Sequence, residues 1–203
     1  MRIKFFLTLL TVCMLAFVVG CAKAPQEAID AANAALEAAK SAEADRYATA
    51  EYSAAKDSLD AANAEVEKQN SKFALFRNYG DASRILQSAV NAANAAASAA
   101  ATNKEQVKAE AEQLMAQAQT AVTEAKGLMK RAPRGKEGRA ALDLIQSDLS
   151  AVETQLSEAG SAMTSGDFLT ARDKSKAALD KVNSIKDELM QAIGKKKMMT
   201  TKS

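Results

Sequence analysis

The most reactive side chain in this sequence is the thiol of Cys21, which follows Val18-Val19-Gly20 at the end of an apolar run. A cysteine in this place is a candidate disulfide partner, metal ligand, nucleophile or attachment point. The 203-residue chain has one other cysteine, Cys13, and contains no histidine. Without histidine a Cys/His zinc site is impossible, and a cysteine nucleophile lacks its usual imidazole partner. The residues before Cys21 therefore have to indicate its role.

The first twenty residues have the order of a secretory signal peptide. Met1-Arg2-Ile3-Lys4 is a short basic start, and Phe5–Val19 carries no charge. This uncharged run is shorter than the ~20 apolar residues that a transmembrane helix needs. A basic start, an apolar middle and a small residue before the cleavage site predict a signal peptide at residues 1–20. A plain secretory peptide with a cysteine near its end by chance is the alternative to a lipid attachment site.

The segment Val18-Val19-Gly20-Cys21 resembles the bacterial lipobox. The resemblance implies cleavage between Gly20 and Cys21, a diacylglycerol on the Cys21 thiol and acylation of the new amine. Residues 21–24 would be the lipidated N-terminus and its tether, and this covalent lipid is the only cofactor expected. Two or three acyl chains give stable membrane attachment. Ala22, rather than Asp, in the second mature position resembles an outer-membrane address, so we expect the chain to face the periplasm from that membrane.

The rest of the chain has the composition and periodicity of helices. Alanine dominates, only two prolines are present, and glycines are few; alanine is the best helix former, and glycine and proline are the worst. Apolar residues recur every three or four positions, for example at Tyr52, Ala55, Leu59, Ala62 and Val66, and no stretch alternates like a strand. The sequence predicts an all-α protein, an elongated antiparallel helical bundle of about five helices.

Capping residues and breakers predict where these helices end. Thr49, Asn78 and Asp167 are candidate N-caps, and Gly166 is a candidate C-terminal glycine. Gly194 is expected to end the last helix and to begin a basic, flexible tail at residues 194–203. Thr102 and Glu105 have the spacing of a capping box and would start a new helix. The alternative, which we favour, is one continuous helix from about Tyr79 to Lys130.

Similar patterns in the two halves predict two tandem three-helix units that share the long central helix. The spacing from Tyr52 to Val66 is similar to that from Leu142 to Leu156. Asn78-Tyr79 is followed by Ala82 as Asp167-Phe168 is followed by Ala171. We place the units at residues 25–101 and 102–193. Coincidence between two amphipathic, alanine-rich segments is the alternative.

Three aromatic residues, Phe73, Phe76 and Tyr79, crowd around one predicted helix–helix turn. They form either an apolar contact tip for a partner or membrane, or a plug that closes the end of the hairpin. We favour the plug, with Phe168 doing the same in the second unit.

A basic cluster surrounds the predicted loop at residues 131–135, and its members are Lys130, Arg131, Arg134, Lys136 and Arg139. Such a cluster is a candidate contact for anionic lipid headgroups, lipopolysaccharide or peptidoglycan, although basic residues at a helix C-terminus also complement the helix dipole. Nucleic acid is not an expected partner, because the net charge is only +2 and aromatic residues do not alternate with the basic ones.

No arrangement of residues in the sequence points to catalysis or metal binding. Acidic residues are dispersed at helical spacing, and paired carboxylates on exposed helix faces are usually solvated. No nucleophile–base arrangement and no glycine-rich phosphate loop is apparent. We expect no enzyme activity, no catalytic residue and no metal site.

The lipobox, together with the Tyr52…Ala55…Leu59…Ala62 and Asn78-Tyr79…Ala82…Leu86…Ala89…Ala93 patterns, resembles an uncharacterised family of alanine-rich bacterial envelope lipoproteins. The resemblance covers roughly residues 24–101 and implies a helical hairpin, in some members joined to an OmpA-like domain that this chain lacks. We expect a lipid-anchored structural or adaptor protein that contacts an unidentified envelope protein. The alternatives are a helical binding module or chaperone for an apolar ligand or client, and self-association through alanine seams.

Overall fold

The computed structural model of the protein describes residues 23–200, apart from the side chains of residues 136, 137 and 195–200. The predicted signal peptide at 1–20, which ends at Gly20, and the predicted lipidation site Cys21 lie outside the described residues.

The described chain is helical, as its composition predicts. It contains six α-helices and one short 3-10 turn, and no strand occurs between residues 23 and 200. The helices are α1 (Gln26–Ser41), α2 (Ala44–Tyr47), α3 (Thr49–Asn70), α4 (Gly80–Arg131), α5 (Lys136–Ser165) and α6 (Phe168–Thr200), and the 3-10 turn is Ala74–Phe76. The all-α prediction is confirmed, and the helix added to the expected five is the single turn α2.

The chain divides into two compact units between Asn103 and Lys104, a position that lies inside α4. We call the part up to Asn103 unit 1 and the part from Lys104 unit 2. The predicted division was between residues 101 and 102. The continuous helix favoured from the sequence is present as α4, which has 52 residues.

Small side chains hold the helices of unit 1 together. One cluster joins Ala32 of α1 to two residues of α3 and two of α4, and its five buried members are Ala32, Leu59, Ala62, Leu86 and Ala89. A second cluster contains Val66, Tyr79 and Ala82. Since later residues of α3 contact earlier residues of α4, these two helices run antiparallel. Alanine at the contacts lets the helix axes approach closely, although each methyl buries little surface.

Unit 2 has a core with more large aliphatic residues. Its buried members include Leu149, Val152 and Leu156 from α5 and Val182, Ile185 and Leu189 from α6. Ion pairs Lys174–Glu158 at 2.6 Å and Lys181–Asp148 at 2.7 Å link the same two helices in reverse order, so α5 and α6 run antiparallel.

The predicted glycine at the end of α5 is confirmed. Gly166 has φ 81°, a left-handed conformation that glycine adopts without strain. The Asp167 N–H donates to the Ala162 carbonyl at 2.9 Å and the Gly166 N–H to the Met163 carbonyl at 3.2 Å. These two bonds form a Schellman motif, which satisfies carbonyls at the helix end.

The predicted N-caps have different outcomes. The Asn78 Oδ1 accepts from the Gly80 N–H at 2.9 Å, as a cap of α4 should. The Thr49 prediction is wrong, because Ala48 precedes α3 and the Thr49 hydroxyl donates back to the Asp45 carbonyl at 3.2 Å. A threonine hydroxyl inside a helix commonly bonds the carbonyl four residues earlier instead of capping.

Two further helix ends differ from the sequence prediction. The Thr102–Glu105 capping box is not used, since the Thr102 hydroxyl donates to the Ser98 carbonyl at 3.1 Å inside α4. The predicted end at Gly194 is also wrong, because α6 continues to Thr200. A single glycine costs a helix only about 1 kcal/mol relative to alanine, so strong helix formers on both sides can continue through it.

Candidate functional site

The turn between α3 and α4, residues 71–79, exposes three large apolar side chains. Phe73 is 70% exposed, Leu75 is 71% exposed and Phe76 is 74% exposed. The two phenylalanine rings lie side by side, with centroids 6.4 Å apart and an interplanar angle of 49°. We call Phe73, Leu75 and Phe76 the apolar tip. Contiguous exposed apolar residues on a folded protein commonly mark an interaction site.

Buried polar side chains hold the base of this turn. Gln69 is only 5% exposed. Its Nε2 donates to Glu65 Oε1 at 2.7 Å, and its Oε1 accepts from the Asn78 N–H at 3.1 Å. The Tyr79 hydroxyl donates to Asn70 Oδ1 at 2.5 Å. The C-terminal end of the turn is therefore tied to the last residues of α3.

The guanidinium of the half-buried Arg77 bridges the start of the turn. Its Nε donates to the Lys72 carbonyl at 3.0 Å and its Nη2 to the Asn70 carbonyl at 2.9 Å. The Asn70 carbonyl is one that the end of α3 leaves without an intrahelical partner, and the Lys72 carbonyl belongs to the turn itself. The turn thus has a defined conformation, and that conformation points the apolar tip outward.

The electrostatics at the base of the turn favour an ionised Glu65. The Lys68 ammonium lies 2.8 Å from Glu65 Oε2. The hydrogen bond from Lys68, followed by that from Gln69, lowers the pKa of the Glu65 carboxyl, and the same contact raises the pKa of Lys68. An ionised Glu65 accepts from both neighbours and so keeps Gln69 oriented toward Asn78.

The sequence-based interpretation of the three aromatic residues is correct for one of them. Tyr79 is buried with Val66 and Ala82 and closes the end of unit 1, as a plug would. For Phe73 and Phe76 the favoured plug interpretation is wrong, since both rings are exposed. Leu75 was not identified from the sequence, although it belongs to the unbroken apolar run Phe73-Ala74-Leu75-Phe76, which lies outside any helical periodicity.

Phe168, at the start of α6, has a different environment. It is half-buried, and the ammonium groups of Lys104 and Lys108 lie 5.9 Å and 5.8 Å from its ring centroid. These distances suit cation–π contacts. Phe168 therefore contacts α4 within unit 2 through these two lysines, and its role as a plug stays a prediction. The exposed aromatic surface belongs to the α3–α4 turn.

The start of the described chain lies at the same end of unit 1 as this turn. Ala24 packs against the cluster of Val66, Tyr79 and Ala82. Cys21 precedes Ala24 by three residues, and three residues of extended chain span at most about 11 Å. Few residues therefore separate the predicted acylation site, Cys21, from the packed Ala24.

The predicted basic cluster is divided by the structure. Arg134 and Arg139 line an open cleft of about 360 Å³ together with Asp143 and Leu142. Arg131 lines another open cleft, of about 540 Å³, with Lys186 and Glu124. Lys130 is exposed, and the side chain of Lys136 is not described. Acidic residues accompany the arginines in both clefts, so the described members do not form one uninterrupted basic surface.

The described residues offer neither a metal site nor a membrane-spanning helix. No group of three His, Cys, Asp or Glu side chains between residues 23 and 200 is placed to hold a metal ion. Within the same part of the chain, no helix combines the length and apolar character needed to cross a bilayer. No protein-family model, curated protein or solved structure matches the chain, so the resemblance to the alanine-rich lipoproteins stays a prediction.

Proposed function

We propose that this protein is a lipid-anchored, non-catalytic component of the bacterial envelope that acts through contacts made by its helical units. The anchor is diacylglycerol and N-acyl lipid on Cys21, the membrane is the outer membrane, and the units face the periplasm. The proposal starts from the order of segments at the N-terminus, where a short basic start is followed by an apolar run and by Val18-Val19-Gly20-Cys21.

The observation that carries the proposal is the position of Ala24. Many residues of unstructured chain between a lipid and a domain would let the domain diffuse away from the bilayer. Here the chain is packed against Val66, Tyr79 and Ala82 three residues after the acylation site. Acyl chains on Cys21 would therefore hold unit 1 directly at the membrane, in the way that a structural or adaptor protein requires.

The remaining surface of the helices is suited to protein contacts rather than to chemistry. Its charges are exposed and balanced, because Arg2 and Lys4 of the leader account for the net charge of +2. Interhelical ion pairs such as Lys126–Glu153 at 2.6 Å use part of this charge within unit 2. The partner is an unidentified envelope protein, and self-association remains a second expected contact, measurable by sedimentation.

The test combines labelling, fractionation and crosslinking in cells. Wild-type protein should incorporate a labelled fatty acid and sediment with outer membranes, and Cys21→Ser should do neither. The matched control is Cys13→Ser, which changes the other cysteine and should leave labelling unchanged. Label in the Cys21→Ser protein, or wild-type protein with an intact leader, would contradict the anchor. Crosslinking that recovers no envelope protein would contradict the adaptor role.

A second candidate function, a binding module for an apolar ligand, is favoured by one cleft of unit 2. This cleft of about 540 Å³ is lined by Gly127, Leu128 and Met190, with charged residues at its edge. If it takes an apolar ligand, Met190→Lys should abolish binding of an apolar fluorescent dye, whereas Leu144→Lys, on another exposed apolar residue, should not. Equal dye binding by both variants would contradict this function.

A further inference from the structure

We infer that the apolar tip, Phe73, Leu75 and Phe76, is a membrane-contacting surface that inserts into the interface of the bilayer that anchors the chain. The inference deepens the proposed function and rests on it, because it takes the acyl chains on Cys21 as the first attachment. The tip would be a second, non-covalent attachment of unit 1 to the same leaflet.

The α3–α4 turn is longer than a connection between two antiparallel helices requires. Antiparallel helices can be joined by two to five residues, and α5 and α6 are joined by residues 166 and 167 alone. The α3–α4 connection runs from residue 71 to residue 79 and contains its own 3-10 turn. The additional residues are those that carry the exposed apolar side chains.

Hydrogen bonds within the α3–α4 turn hold the apolar tip in its outward orientation. Arg77 bonds the carbonyls of Lys72 and Asn70, and Gln69 bonds the Asn78 N–H. Inside this network Tyr79 is 6% exposed, while its near neighbour Phe76 is 74% exposed. The network fixes which aromatic ring is buried and which is presented, so exposure of the tip does not depend on unfolding of the turn.

The described chain begins at the same end of unit 1 as the apolar tip. Ala24 packs on Val66, Tyr79 and Ala82, and Tyr79 is the last residue of the tip's own turn. Because at most about 11 Å of chain separates Cys21 from Ala24, acyl chains on Cys21 would bring the end of unit 1 that carries the tip to the bilayer surface. The short distance in sequence from Cys21 to Ala24 therefore favours a lipid surface, and not a protein, as the surface that the tip contacts.

Basic residues lie beside the apolar tip. Lys72 precedes Phe73 and is exposed, and Arg77 follows Phe76 with its guanidinium bonded to carbonyls, which do not neutralise its charge. Lys23, near the start of the chain, is exposed as well. Aromatic and aliphatic side chains flanked by basic residues are typical of surfaces that lie in the headgroup region of anionic membranes.

The test uses tryptophan as a depth probe, because the natural chain contains none. Full-length Phe76→Trp protein is expressed, processed, purified from membranes and reconstituted into phospholipid vesicles. Leu144→Trp is the matched control, since Leu144 is also a large apolar residue, is 71% exposed and belongs to unit 2. The vesicles contain either ordinary or brominated acyl chains, with zwitterionic lipid alone or with anionic lipid added.

The expected result is a blue shift of the Phe76→Trp emission and an at least twofold loss of intensity in brominated vesicles, because interfacial apolar side chains penetrate roughly 5–10 Å. The Leu144→Trp emission should respond only to a quencher dissolved in water. Circular dichroism should show both variants folded, since each replaces an exposed side chain. A stronger effect with anionic lipid would support the role of Lys72 and Arg77.

Two outcomes would overturn the inference and would also separate it from the proposed function. If mass spectrometry shows Cys21 acylated but the Phe76→Trp emission is quenched only from water, the tip faces solvent or a protein and the inference fails while the anchor stands. If Cys21 is unmodified, the anchor fails, and adding that same protein to anionic brominated vesicles decides the tip. Quenching would then support an independent membrane contact, and unchanged emission would overturn it.

Discussion

Asn103 is a polar residue in the apolar seam of α4, and its side chain donates a hydrogen bond at the interruption between α2 and α3. Its Nδ2 donates to the Tyr47 carbonyl at 2.7 Å. Tyr47 ends α2, and the next residue, Ala48, has the non-helical angles φ −142° and ψ 50° that separate α2 from α3. The Asn103 amide therefore satisfies a carbonyl at the point where the helix is interrupted.

We expect Asn103→Ala to destabilise unit 1 by about 1–3 kcal/mol, because it removes the partly buried hydrogen bond from Asn103 to the Tyr47 carbonyl. The measurement is urea unfolding followed by circular dichroism. Asn94→Ala is the matched control, since Asn94 is exposed on the same helix and its replacement should change the free energy of unfolding by less than about 0.5 kcal/mol. Equal midpoints for the two variants would contradict the role assigned to Asn103.

Gly138 lies where the loop before α5 approaches the first turn of that helix. A Cβ at this position would clash with the Pro133 carbonyl oxygen, a backbone atom that cannot rotate away. At Gly127, inside α4, an added Cβ meets nothing within 4 Å. The same substitution should therefore have opposite effects at the two positions.

We expect Gly138→Ala to lower the free energy of unfolding by about 1–3 kcal/mol, because the loop must move to relieve the clash. Gly127→Ala should raise it by about 0.5–1 kcal/mol, because alanine is the better helix former in an open position. Thermal unfolding of the two variants beside the wild type measures both effects. Stabilisation by Gly138→Ala would show that Pro133 does not constrain this position.

At the scale of helices, the contact between α3 and α4 depends on small side chains. Ala62 is fully buried in the cluster that also contains Leu86 and Ala89, whereas Ala64, two residues further along α3, is exposed. Protein interiors are packed as closely as organic crystals, so an extra methylene group is not accepted there without a shift of the backbone. The alanine at position 62 therefore sets how closely the two helices approach.

We expect Ala62→Leu to destabilise unit 1 by about 1–3 kcal/mol through overpacking. Ala64→Leu adds the same atoms on the exposed face of α3 and should stay within about 0.5 kcal/mol of the wild type. Urea unfolding distinguishes the two. If Ala62→Leu is as stable as Ala64→Leu, the helices do not approach as closely as the buried alanines indicate.

The helices themselves were largely predictable from the sequence, because their buried faces repeat with helical periodicity. Leu59, Ala62 and Val66 were identified from this spacing and are buried. The helix ends were less predictable, since a threonine such as Thr102 can cap a helix or bond back within one, and the local sequence is the same in both cases. Tertiary contacts such as Asn103 with Tyr47 join residues 56 positions apart, and no local pattern reveals them.

The exposure of the apolar tip could not be predicted from the residues that form it. Aromatic residues between two helices are compatible with either a plug or a presented surface, because both fit the hydrophobic pattern. The choice depends on Arg77 and Gln69, whose side chains bond the backbone of the turn. These residues appear in the sequence as ordinary surface residues, and their role follows only from the folded turn.

At the scale of the whole molecule, the absence of histidine determines how stability depends on pH. Histidine is the one side chain whose ordinary pKa lies between about pH 5 and 8, and the chain has none. Among the described groups with shifted values, the pKa of Glu65 is lowered from 4.5, and those of Lys68 and Lys181 are raised from 10.5. The Lys181 shift comes from its hydrogen bond to Asp148, which links α5 and α6.

We therefore expect the free energy of unfolding to be constant across neutral pH and to fall on both sides. The contribution of Glu65 is complete above its unfolded pKa and is lost as the pH falls through the lowered folded value. That of Lys181 is complete below its unfolded pKa and is lost as the pH rises through the raised folded value. Urea titrations over a series of pH values measure this. Glu65→Gln should flatten the acid side and, because it removes the carboxylate that raises the pKa of Lys68, part of the alkaline side, whereas Lys181→Gln should flatten the alkaline side only. A steep change near pH 7 would show that a group other than these carries the dependence, because neither Glu65 nor Lys181 changes its protonation there.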